Sequence, residues 1–173
     1  MLKGEMVYLK AIERKDMNII YNICSEKEVR LYDGGGMELP PYKDIMKNYD
    51  KFMTIDRKSL TIINEKNVII GYISYKELQN TVGVYDIGIT IGSRYWGRGY
   101  GKDSVRTLIK YLFETQSAHR IELEVVVNNE RAVNCYKACG FIEEGRKREK
   151  YYNNKKYYDT LVMSILKQDY RSH

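Results

Sequence analysis

Apolar and polar positions alternate weakly over residues 6–12, which predicts a first strand. From Asp16 the spacing lengthens, and Ile19, Ile20, Ile23 and Cys24 fall on one side of an amphipathic helix. Residues 28–32 continue it as a short turn or helix. Residues 33–41 gather three glycines and both prolines, the clearest loop of the chain. Helical spacing returns over 43–53 through Ile45, Met46, Tyr49 and Phe52. Two apolar runs, 60–64 and 68–76, flank Glu65-Lys66-Asn67 and predict a hairpin. Residues 85–91 extend the same antiparallel series.

The organising stretch comes next, between this strand and a helix. Tyr95-Trp96-Gly97-Arg98-Gly99-Tyr100-Gly101-Lys102 carries three alternate glycines. Val105, Leu108, Ile109 and Leu112 follow at i, i+3, i+4 and i+7, a helix over 102–116. A glycine turn at a helix N-terminus attracts phosphate, because unpaired N–H donors and the positive end of the dipole point the same way. A Walker A loop is excluded: Trp96 stands where its first glycine would be, and Asp103 follows Lys102 in place of Ser or Thr. The G-x-G-x-G spacing also excludes the dinucleotide fingerprint.

Past the helix, Ile121, Leu123, Val125 and Val127 share one face of a strand over 121–127, with Glu122 and Glu124 turned towards solvent on the other. Helix 130–138 stops at Gly140, and 141–152 with 156–166 form a hairpin with Asn153-Asn154 near its tip. No repeat, long linker or low-complexity tail interrupts the pattern, so a single domain over 1–173 is expected.

The glycine stretch resembles the R/Q-x-x-G-x-G/A pyrophosphate loop of the GNAT superfamily of N-acetyltransferases, in its W-G-x-G-Y-G/A variant, with Trp96 in place of the usual Arg or Gln. Asn129-Glu130-Arg131-Ala132-Val133-Asn134-Cys135-Tyr136-Lys137-Ala138-Cys139-Gly140-Phe141 resembles the family's N-x-x-A-x-x-x-Y-x-x-x-G-F segment. Over nearly the whole chain the order of elements resembles the GNAT fold. The resemblance implies an α/β (α+β) class with a mixed, mostly antiparallel central sheet flanked by helices. Two neighbouring central strands, here 85–91 and 121–127, would splay to admit the pantetheine arm of acetyl-CoA. Gly88 either marks that split, as a bulge or close backbone approach, or simply packs.

By the same resemblance the cofactor is acetyl-CoA. Backbone groups of Ile89 and Ile91 would pair with pantetheine like an added strand. The loop of Trp96, Gly97, Arg98, Gly99, Tyr100, Gly101 and Lys102 would hold the pyrophosphate. Asn129 would touch the cofactor arm, cap helix 130–138, or do both. Acceptors in this family lie over the first two helices, their loop and the final hairpin, which nominates Tyr32, Asp33, Glu38 and Tyr152. The layout is similar to bacterial spermidine acetyltransferases. The C-terminal pattern is similar to ribosomal-protein N-terminal acetyltransferases, with Asn154-Lys155 where that branch has Asn-Gly. The implied acceptor is a polyamine, a small amine or a peptide N-terminus, and a homodimer is common among the proteins resembled.

Composition narrows the partners. A formal charge of +6 suits an anionic ligand. The run Arg146-Lys147-Arg148-Glu149-Lys150 reads as a solvent-facing strand, so nucleic acid is not expected as a partner. Three cysteines, an odd number, fit a reducing cytoplasm. Cys135 and Cys139 have no His or Cys cluster to complete a metal site and read as small core residues. No run of 18 apolar residues and no charged-then-apolar leader is present, so neither a membrane span nor a secretory signal is expected.

Acetyl transfer needs an amine that has lost its proton, and at neutral pH an amine with a pKa near 10.4 is free base in roughly one molecule per thousand or fewer. Asp86 is the candidate base: it shares the strand face of Gly88 and Thr90, opposite Tyr85, Ile87, Ile89 and Ile91. The resembling branch usually has Glu here, and the shorter Asp points to a water relay; the alternative is a surface carboxylate at a strand start. Tyr136 matches the family's acid, a phenol that stays protonated at neutral pH and can donate to a departing thiolate. A core tyrosine is its other reading. An N-acetyltransferase acting on a primary amine is therefore expected, and a non-catalytic acyl-CoA sensor of the same fold is the alternative.

Overall fold

Period-two burial builds most of the molecule. The computed structural model describes residues 1–33, 37–50 and 57–171. Its strands are β1 (Leu2–Lys3), β2 (Val7–Ala11), β3 (Lys58–Asn64), β4 (Ile69–Glu77), β5 (Val84–Ile91), β6 (Arg120–Val126), β7 (Ile142–Asn153) and β8 (Lys156–Leu166). They form one sheet in the order β1-β2-β3-β4-β5-β6-β8-β7. Neighbours pair antiparallel except β5 and β6, which run parallel. That parallel pairing joins only Val84, Tyr85 and Asp86 to Arg120, Ile121 and Glu122. Beyond Asp86 the strands part, while β5 stays in register with β4 as far as Gly71↔Ile91. The splayed central pair expected from the sequence is present.

The helices are α1 (Met17–Ser25), α2 (Lys27–Arg30), α3 (Tyr42–Lys47), α4 (Tyr100–Glu114), α5 (Glu130–Ala138) and α6 (Lys167–Arg171). Helix α4 buries Val105, Leu108, Ile109, Leu112 and Phe113 in one cluster with Leu9, Ile62, Ile73, Ile87, Ile121, Leu123 and Met163. Burying a side chain of this size contributes about 1.5–3 kcal/mol, so this face is the main source of stability. Ile20, Ile23 and Val29 bury apart from that cluster, on α1 and α2. Asp103, on α4, accepts N–H bonds from Glu5, Met6 and Val7 at 3.1, 2.7 and 3.0 Å, tying the first hairpin to the start of the helix.

Several expectations change. Ile19 is 42% exposed, so the buried stripe of α1 runs through Ile20 and Ile23 alone. The helix expected over 43–53 ends at Lys47, and its last stretch lies partly outside the described residues. Helix α4 begins two residues before the expected position, because Gly99 caps it. Strand β1 and helix α6 carry too few residues to leave a periodic signal. Gly88 marks neither a bulge nor a close approach: its register with Ser74 is regular, and an added Cβ would have ordinary contacts at 3.6 Å. The close approach is at Gly71, where a Cβ would lie 2.1 Å from the Thr90 carbonyl oxygen.

Candidate active site

The glycine loop leaves strand β5 through a short 3-10 turn at Ser93–Tyr95 and reaches α4 with Gly97 at φ 72° and Gly99 at φ 87°. Both angles lie where a Cβ is strained, so glycine is required for the curl. The first backbone bond of the helix is Asp103 N–H to the Gly99 carbonyl, at 3.0 Å. Among the described residues, the amides of 97 to 102 therefore have no backbone acceptor. Six donors at the N-terminus of a fifteen-residue helix make a site for a di-anion. Space is available: nothing lies within 4 Å of a Cβ built on Gly97.

Trp96 takes a different part from the Arg or Gln of the family motif. Its Nε1–H donates to the Ile91 carbonyl at 2.7 Å, and the Arg131 guanidinium lies 3.6 Å over its ring. The indole thus fastens the loop to the end of β5 and to α5.

The strand edge beside the loop is also open. Gly92 N–H donates to the Ile70 carbonyl, which sets the alternation of the β4–β5 ladder. Residues 72/90, 74/88 and 76/86 are then the hydrogen-bonded pairs, so the backbone groups of Ile87, Ile89 and Ile91 point towards β6. Past Asp86 that strand does not pair with them. An extended chain carrying amides can lie there as an added strand, with the Ile91 carbonyl already used by Trp96.

Helix α5 supplies the facing wall. Asn129 caps it, its Oδ1 accepting the Ala132 N–H at 3.3 Å, and it also lines the cleft. Tyr136 lines the same cleft, with its ring edge-on to Phe141 at 5.8 Å. Burial pushes its phenol well above the ordinary range, so it is a neutral donor at physiological pH. Cys135 lies beside it; a hydrogen bond from Cys139 lowers its thiol, with Arg131 and Lys102 adding to the effect.

The whole cleft encloses about 760 Å³. Tyr32 and Asp33 lie on its wall, and Asp33 accepts from Thr90 Oγ1 at 2.9 Å. Two other nominees lie elsewhere. Glu38 is exposed and off the wall, and Tyr152 packs on Tyr157 at 4.8 Å. Tyr151 lines the cleft instead, its hydroxyl donating to the Leu31 carbonyl at 3.3 Å. The register of β7 on β8 shifts between Lys147 and Tyr151. Asp86 is also absent from the cleft wall; it pairs with Arg57, whose Nη1 donates to Ser74 Oγ at 2.8 Å and which does line the cleft.

Sequence reasoning missed Arg57, Tyr72, Glu124, Arg131 and Tyr151. Tyr72 and Ser74 had a signal, two polar positions at period two inside an apolar strand. Glu124 lines the cleft where solvent was expected. Burial would raise its carboxyl, but Lys147 and Thr160, each at 2.6 Å, outweigh it and hold the group below the usual range. Arg57 had no pattern to reveal it.

Comparison with known proteins agrees with this geometry. A family described as "Acetyltransferase (GNAT) domain" matches residues 7–142. The spermidine N(1)-acetyltransferase of Vibrio cholerae serotype O1 is 28% identical over 166 residues, covering 94% of each chain. The putative ribosomal N-acetyltransferase YdaF of Bacillus subtilis is 30% identical over 102 residues, 59% of this chain and 56% of its own. The crystal structure of the Vibrio cholerae spermidine N-acetyltransferase with CoA and spermine superposes with a TM-score of 0.87 at 25% identity, covering 95% of this chain and 98% of that one.

Proposed function

This chain belongs to the GNAT family and transfers the acetyl group of acetyl-CoA to an amine, and from that premise we propose that its acceptor is a small primary amine received at Asp33. The observation that carries the reading is the run of unpaired amides from 97 to 102, opening onto the gap beside Tyr136. Those amides, with the charges of Arg98 and Lys102 on the same wall, suit a diphosphate. Ile89 and Ile91 offer backbone to pantetheine, and Asn129 reaches the same arm. Trp96 and Tyr100 hold the loop in shape, Tyr100 through its hydroxyl to Glu65 at 2.9 Å. Bound acetyl-CoA supplies the thioester carbonyl that the amine attacks and the thiolate that leaves.

Each side chain then has one task. The Asp33 carboxylate attracts the incoming ammonium and, through Thr90, is fixed against β5. Tyr32 closes the same end of the cleft. Asp86 takes the amine's proton through water, from its place on β5 beside Arg57, which explains why it need not touch the wall. General-base assistance of this kind contributes about 10²–10⁴-fold. Tyr136 O–H gives its proton to the departing sulfur, and burial keeps that proton in place until the thiolate forms. The single-domain reading over 1–173 is supported by the joining of the first and last strands to one sheet. Unpaired Cys24, Cys135 and Cys139 support a cytoplasmic setting. Exposed Ile142, Tyr152 and Tyr157 along the outer hairpin support a homodimer, which sedimentation tests.

Thiol release from acetyl-CoA against polyamines, monoamines, aminoglycosides, amino acids and N-terminal peptides tests the acceptor. Release with small primary amines is expected. Turnover of peptide N-termini alone would overturn it.

A further inference from the structure

A second cavity, of about 310 Å³, adjoins the cleft. It lies under α1 and α3, walled by Met17, Ile20, Leu39 and Ile45 with Tyr21 and Tyr49 beside them. Arg57 and Tyr72 line both cavities and form the wall they share. Protein interiors leave few voids larger than a water, and this one is about ten times the ~30 Å³ share of a water. Its size and the wall it shares with the cleft mark it as space for a ligand.

The chemistry of the wall narrows the occupant. Among the described lining residues there is no Asp, Glu or His. The charge that is present, Arg57, is a cation, held at the shared wall by Ser74 and Asp86. A second ammonium group entering here would lose its water, find no carboxylate among the described lining residues and meet a like charge, each unfavourable. The carboxylate that can take an ammonium is Asp33, back in the cleft. Tyr72 connects the two places: it lines both cavities, with Cys24 on the chamber wall and Thr90, the residue that donates to Asp33, on the cleft wall.

We propose that this chamber receives the uncharged, apolar body of a primary monoamine, an arylalkyl or branched-alkyl amine, whose single ammonium stays in the cleft beside Asp33. The inference rests on the acceptor reading above and sharpens it: a compact apolar monoamine is preferred to a polyamine, although spermidine acetyltransferases are among the relatives. Arg57, on the shared wall, turns away a distal cation.

The test compares 2-phenylethylamine, isoamylamine, ethylamine and spermidine as acceptors in the thiol-release assay. A hydrophobic pocket discriminates by about tenfold or more for each methylene it fits. The first two amines should therefore exceed ethylamine and spermidine in kcat/KM by at least about tenfold. Met17→Trp fills the chamber from a partly exposed helix start, and should lower the ratio of 2-phenylethylamine to ethylamine by about tenfold. Spermidine as the best acceptor, or an unchanged ratio in folded Met17→Trp, overturns the proposal. If CoA binds but no amine releases thiol, the acceptor reading itself fails. Calorimetry of 2-phenylethylamine on the CoA-loaded protein then decides the chamber: binding lost in Met17→Trp supports it, and no binding to either protein overturns it.

Discussion

Replacing Gly99 with Val separates the phosphate cradle from the rest of the molecule. Gly99 sits at φ 87°, ψ −15° and caps α4. A β-branched residue there costs about 1–3 kcal/mol in backbone strain, and its Cβ would meet only the Met6 sulfur, at 3.5 Å. Against a typical fold stability of about 5–15 kcal/mol, the variant remains folded but its loop no longer curls. Hydrogen bonds to a charged group contribute about 1.5–3 kcal/mol each. Turning away two of the amides from 97 to 102 then removes about 3–6 kcal/mol, or roughly 10²–10⁴-fold in affinity. Calorimetry with CoA reads this directly. Pantetheine, which lacks the diphosphate, is the control, and its weaker binding should change little. Normal CoA affinity in a folded Gly99→Val protein would refute the cradle, as would an equal loss for both ligands.

Further outcomes follow from the same structure. Tyr136→Phe should lower kcat by roughly 10–10³-fold, at or below the usual worth of an acid–base group, with CoA affinity nearly intact; weakened binding at full turnover would contradict the acid. Because burial raises that phenol, the alkaline fall in wild-type turnover should start no lower than about pH 10. Asp86→Asn should act on kcat and Asp33→Asn chiefly on KM; an unchanged rate for the first across about pH 6–9 discards Asp86 as base. Arg120 and Ser164 hold the Glu144 carboxyl down at about 2, so its pair is fully formed above the ordinary value of 4.5 and is lost as pH falls towards 2. Its side chain is 37% exposed, so Glu144→Gln should cost only ~0.2–1 kcal/mol in urea titrations at neutral pH, and less in acid; a constant deficit down to low pH would show that the pair is not the cause. Iodoacetamide should label Cys135 first and CoA should protect it, since Cys135 lines the cleft while burial pushes Cys24 up to about 12; peptide mapping that found Cys24 ahead would reverse this.

What the sequence made legible was periodic or punctuated. Val105, Leu108, Ile109 and Leu112 marked α4, and the alternate glycines marked the loop, because each pattern records one local constraint. The splay of β5 from β6 became visible only through family resemblance: nothing in either strand alone says that they part after Asp86. Side-chain destinations set by distant partners were hidden. Asp86 reads as an isolated carboxylate until Arg57, 29 residues away, is brought to it. Trp96 looks like a departure from a motif until its indole reaches the Ile91 carbonyl and Arg131 lies over it. Tyr151 and not Tyr152 lines the cleft, and its hydroxyl reaches the Leu31 carbonyl, 120 residues away. The second cavity had no linear signature, since its walls come from α1, α3 and β4 together.

A crystal structure with CoA bound measures the central claim most directly. The account predicts the diphosphate within hydrogen-bond distance of the amides from 97 to 102, pantetheine along Ile89 and Ile91, and the sulfur beside the Tyr136 hydroxyl. A diphosphate bound away from that loop, or a sulfur remote from Tyr136, would contradict it.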